Sequence, residues 1–115
     1  MTTDKELLEL AAKAADIEYT VQDDGYYKTH SFFGLWLVFH DEPSEYARRY
    51  WNPLTDDGDA LRLAVKLGLV INCRHSQALV ETMDKEFWER HDNGEDVAVR
   101  RAIVRAAAEI GKDVK

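Results

Sequence analysis

Nine aromatic residues crowd into 26 consecutive positions of this 115-residue chain: Tyr26, Tyr27, Phe32, Phe33, Trp36, Phe39, Tyr46, Tyr50 and Trp51. In a strand only alternate residues enter any one core. A domain of this length buries roughly 65% of the surface that its unfolded chain exposes. Nine large rings in one segment exceed that interior, so part of the segment is predicted to face another molecule. Homodimerisation is the commonest way to cover such a patch, and exposed rings are the usual composition of a binding hot spot. The candidate partner-binding residues are Tyr26, Tyr27, Phe33, Trp36, Tyr46, Tyr50 and Trp51.

The remaining composition fits one compact domain over residues 1–115. Apolar residues make up 45% and charged residues 32%, which argues against disorder. The net charge is −7, so the whole-molecule field opposes nonspecific contact with nucleic acid or an anionic membrane. The longest apolar runs, 35–39 and 67–71, are too short to span a bilayer. Cys73 is the one cysteine, so no intrachain disulfide is expected. No basic region precedes an apolar run at the N-terminus, and a secretory signal is not expected. Together these predict a cytoplasmic protein. On a predicted strand, Cys73 reads as a buried small apolar residue.

Hydrophobic spacing sets the element order. Thr3 and Glu6 form a capping box ahead of a helix with Leu7, Leu8, Ala11, Ala14 and Ala15 inward. Ile17 to Val21 alternates as a strand. Asp23, Asp24 and Gly25 make a turn, and Tyr26 to Thr29 returns as a short second strand. Gly34 to Phe39 is a nearly continuous apolar strand. Residues 41–50 read as one or two helical turns or as an ordered loop, and Trp51 to Thr55 as a loop, because Pro53 pushes Asn52 out of helical geometry. A helix follows to Leu67, with Asp56, Asp57 and Asp59 satisfying its first turn. Its predicted inward stripe is Leu61, Ala64, Val65 and Gly68, with Gly68 as the C-cap. Residues 69–73 and 78–82 form a hairpin, and 84–92 is a polar connection anchored by Phe87 and Trp88. The last helix, 95–111, turns Val99, Ala102, Ile103, Ala106, Ala107 and Ile110 inward. It leaves Arg100, Arg101, Arg105, Glu109 and Lys112 to water. This pattern predicts an α+β fold: a layered α/β/α sandwich with three main helices flanking a mixed or antiparallel sheet of about four strands.

Three stretches resemble one family. Residues 51–69, WNPLTDDGDALRLAVKLGL, resemble the central motif of the phage ABA sandwich domain family, small proteins of bacteriophages and prophages. Residues 100–111, RRAIVRAAAEIG, are similar to its closing helix, and residues 6–15, ELLELAAKAA, to its first. The stretch 26–50 is longer and more aromatic than the family pattern. The resemblance implies a phage-encoded accessory protein of unassigned activity, working in the host cell cytoplasm, and it brings no catalytic residues with it.

Chemistry-bearing residues are sparse in pattern. Asp56, Asp57 and Asp59 do not continue into an EF-hand, since the twelfth position from Asp57 is Gly68; helix capping accounts for them. His30, His40, His75 and His91 show no ligand spacing, although His30, His40 and Asp41 could meet across a hairpin. No phosphate-cradling glycine motif or nucleophile elbow occurs, and no catalytic residue, metal or cofactor is expected. Five Lys or Arg against two acidic residues over 97–115 make the last helix a basic ridge, the usual solvated face of an amphipathic helix. The expected function is therefore protein–protein binding without catalysis. The partner is a second copy, or a host or phage protein such as a host defence enzyme held inhibited. The alternatives are a small metal-dependent enzyme on a phosphate-containing substrate and a DNA-binding regulator acting through the last helix.

Overall fold

The structure, a computed structural model, describes residues 3–17, 19–20, 35–38 and 48–114, with side chains described over 3–17 and 51–114. Among these the order is α1 (Asp4–Ala14), β1 (Tyr19–Thr20), β2 (Leu35–Val38), β3 (Arg48–Trp51), α2 (Asp57–Leu67), β4 (Val70–Cys73), β5 (Gln77–Glu81), β6 (Glu86–Arg90) and α3 (Glu95–Lys112). A short 3₁₀ turn, His91–Asn93, leads into α3. The class is α+β. Among the described residues two three-stranded antiparallel sheets form, in the orders β1-β2-β3 and β4-β5-β6.

Local chemistry sets the helix ends. The Thr3 hydroxyl accepts the Glu6 amide proton at 3.2 Å, satisfying one of the free N–H groups of α1's first turn. Asp56 does the same for α2 by accepting from Asp59 N–H at 2.8 Å. Gly68 ends α2 in the left-handed region, φ 64°, and no atom lies near a Cβ built there. The cost of a side chain at Gly68 is thus backbone strain alone. Gly68→Ala is expected to lower stability by about 1 kcal/mol, and Gly68→Asn by less, read as the shift of the urea unfolding midpoint.

The long helix α3 is the hub. It packs against α1 on one side, α2 on another, and β5 and β6 on a third. A helix surrounded in this way needs apolar cover nearly all round. Besides the expected Ala102, Ile103, Ala106 and Ala107, α3 buries Ala98, Val104, Ala108 and Gly111. Ile71, Val80 and Phe87 lie in register across the second sheet and join the core packed against it.

Several expectations change. Residues 48–51, read as part of a helical turn or loop, form β3, paired to β2 with Trp36 opposite Tyr50 and Leu35 opposite Trp51. Residues 86–90, read as a polar connection, form β6. Its alternation is hidden because Glu89, on the α3-facing side, meets Arg101 and Arg105 instead of apolar groups. The inward face of α2 is Ala60, Leu63 and Ala64, whereas Leu61 and Val65 are 59% and 73% exposed. Both stripes satisfy helical spacing; the burial of Asp59, 3% exposed, selects the observed one. Cys73, expected to be buried, is exposed.

Candidate functional site

The loop from β3 to α2 is tied on every side. Asn52 Oδ1 accepts the Leu54 N–H at 2.9 Å, the side-chain-to-backbone turn that asparagine favours. Asn52 C=O accepts the N–H groups of Thr55 and Asp56 at 3.1 and 2.9 Å. The Asn52 N–H donates to Asp59 Oδ2 at 3.0 Å, and Arg62 donates to Asp59 Oδ1 at 2.7 Å. Arg100 of α3 reaches across to donate to Leu54 C=O at 2.8 Å. The three aspartates thus have three partner sets: Asp56 caps, Asp57 pairs with Arg100, and Asp59 braces the loop. Among the described residues no group of three or more His, Cys, Asp or Glu is placed to hold a metal ion.

The arginines of α3 do not form the solvated ridge that the sequence predicts. Arg100 is 12% exposed and bonded to Asp57 and Asp96. Burial works against its charge, but the hydrogen bonds to the two carboxylates outweigh it and hold its pKa above the ordinary value. The Arg100 hydrogen bond, with help from backbone N–H groups, holds Asp96 below its own. Arg101 bridges Asp4 of α1 and Glu89 of β6. Arg105 bonds Glu89 and the Trp88 carbonyl and lies 5.6 Å from the Phe87 ring. Lys85, in the turn before β6, is hydrogen-bonded to Glu109, which also holds Lys112. Those bonds depress the Glu109 pKa and raise that of Lys85. These side chains are braces between elements, and their charge is matched locally.

Beside this brace lies an open cleft of about 760 Å³. One wall is the first half of α2, with Asp57, Ala60 and Leu61. The other is β4, with Ile71 and Cys73, followed by Arg74 and His75 of the turn. Val99, Arg100 and Ile103 of α3 form the floor. The Nε2 atom of His91, another lining residue, is buried without a hydrogen-bond partner among the described residues. Arg74 stacks over Trp88 at 5.4 Å. The lining mixes the apolar Ala60, Leu61, Ile71, Val99 and Ile103 with the charged Asp57, Arg74, Glu95, Asp96 and Arg100.

Of the seven candidate partner-binding residues, Trp51 is placed in the core at 4% exposure. That is a correction for this residue: its ring is already covered within the chain. Trp36 and Tyr50 stand in register on β2 and β3. Tyr26, Tyr27, Phe33 and Tyr46 lie outside the described residues, as do the strand read at 26–29 and the His30, His40 and Asp41 group. The cleft was not foreseen, because its walls come from three separated parts of the chain. No family model, curated protein or solved structure matches the chain.

Proposed function

We propose that this chain is a non-enzymatic accessory protein of phage or prophage origin that acts by binding protein in the host cytoplasm, first of all as a homodimer. The observation that carries the reading is the apolar surface beside the cleft. Leu61, Val65 and Val70 are 59%, 73% and 56% exposed on two consecutive elements. Single exposed apolar residues are ordinary, but Leu61 and Val65 stand one turn apart on α2 and Leu61 lines the concave site, and paired exposure of this kind marks an interaction surface. The likeness of residues 51–69 to the phage family motif supports the origin. The helices and sheets are then read as the layered sandwich of that family, its open side covered by a partner. A host or phage protein, including a host defence enzyme held inhibited, is the second partner class. The local neutralisation of Arg100, Arg101 and Arg105 favours protein over nucleic acid as partner.

Light scattering on the purified chain tests this reading. The expected result is twice the chain mass at micromolar concentration. A monomer at all concentrations, with no partner retained from host lysate, would overturn it.

A further inference from the structure

β4 is an open edge. Among the described residues it pairs on one side only, with β5. The hairpin closes with Arg74 N–H donating to Gln77 C=O at 3.0 Å. Antiparallel alternation then makes Asn72 and Leu79 a hydrogen-bonded pair, and leaves the N–H and C=O groups of Ile71 and Cys73 directed at the open side. The strand reads Val70-Ile71-Asn72-Cys73. It has no lysine, proline or inward charge, the devices that guard a free edge.

α2 stands across the cleft from β4 and runs antiparallel to it. Gly68 and Leu69 join the end of α2 to the start of β4, while the cleft joins the start of α2 to the end of β4. Leu61 lines the cleft, and Val65, 73% exposed, follows it one turn on along α2. The helix begins with Asp56 and Asp57 and ends with Lys66. Two such helices laid antiparallel set the acidic start of each against the basic end of the other. The surface is therefore complementary to itself in charge as well as in apolar content.

We infer that a second copy of this chain docks here, β4 against β4 and α2 against α2, about a two-fold axis passing at Asn72. The inference rests on the homodimer reading above and assigns it a surface. A two-fold contact is isologous, so each half must fit its own image. With the axis at Asn72, Ile71 faces the partner's Cys73 and the reverse, forming about four new backbone hydrogen bonds. Asn72 then faces its own counterpart in a non-bonded pair, Cα atoms about 4.5 Å apart. Leu61 and Val65 meet their counterparts above this six-stranded sheet and close the cleft.

Two variants of the full chain test the inference. The first, Asn72→Cys with Cys73→Ser, places thiols at a separation that a disulfide accepts, since Cα distances of about 4.4–6.8 Å are bridged without strain. Mild oxidation is expected to give a covalent dimer on a non-reducing gel, and Glu9→Cys with Cys73→Ser, on the far helix, is expected to give none. The second, Val65→Asp, alters a side chain that the single chain leaves exposed, so the fold is kept. It is expected to weaken dimerisation by about tenfold or more, with an unchanged far-UV circular dichroism spectrum. A wild-type dimer that persists in Val65→Asp and shows no cross-link at position 72 would leave the homodimer reading standing and overturn this interface. A wild-type monomer would overturn both.

Discussion

Replacing Gly111 by alanine is expected to lower stability by about 2 kcal/mol, a fall of roughly 10 °C in Tm for a chain of this size. The sign is the informative part. Alanine in a helix interior is ordinarily better than glycine by about 1 kcal/mol, and part of that gain is expected for Gly111 in the last turn of α3. But a Cβ at this position would lie 2.0 Å from the Leu10 carbonyl oxygen and 2.7 Å from its carbon. Those are backbone atoms of α1, which no rotamer change can move aside. The two helices must separate along a seam in which Ala11, Ala12, Ala107 and Ala108 are all closed to solvent. Close-packed small residues leave no slack, so separation forfeits dispersion contacts along the seam. Overpacking of this kind costs typically 1–3 kcal/mol and here must also cancel the propensity gain. Urea unfolding of Gly111→Ala checks it, and a midpoint above that of the wild type would show that α1 does not pass so close.

The contrast between Gly68 and Gly111 shows how far a sequence can be read. Gly68 is legible because it follows a capped, periodic helix and precedes an apolar strand; its conformation is a local matter. Gly111 reads in the same way, as a helix end, and α3 does end one residue later at Lys112. Its role depends on α1, a hundred residues away, and no local rule contains that contact. The strands divide likewise. β4 and β5 carry enough apolar residues to be recognised, but β6 puts Glu89 where an apolar residue should stand. Arg101 and Arg105 make that substitution tolerable. Those arginines look solvated in the sequence for the same reason: each partner is invisible without the other. The cleft is the extreme case. Its lining spans Asp57 to Ile103, and no local pattern joins those parts.

The acidic run at the start of α2 gives the second large effect. Asp59→Ala is expected to cost about 2–3 kcal/mol, measured by the same urea unfolding. Asp59 is 3% exposed, and its Oδ2 accepts the N–H of Asn52, itself 3% exposed. Removing a charged acceptor from a buried amide costs about 1.5–3 kcal/mol, most of it the desolvation of the donor. The Arg62 ion pair contributes little to this, because its guanidinium side is 60% exposed and exposed pairs are worth under about 1 kcal/mol. Asp59→Asn keeps one carbonyl acceptor in the same shape and is expected to retain more than half of the lost stability. The size of the loss separates two roles for one residue. An aspartate that only complements the helix dipole is worth about 0.3–1 kcal/mol, so a loss within that range would reduce Asp59 to an end charge. A loss near the upper figure makes its carboxylate the joint that fixes Asn52, selects the Ala60, Leu63 and Ala64 face of α2, and thereby turns Leu61 and Val65 outward.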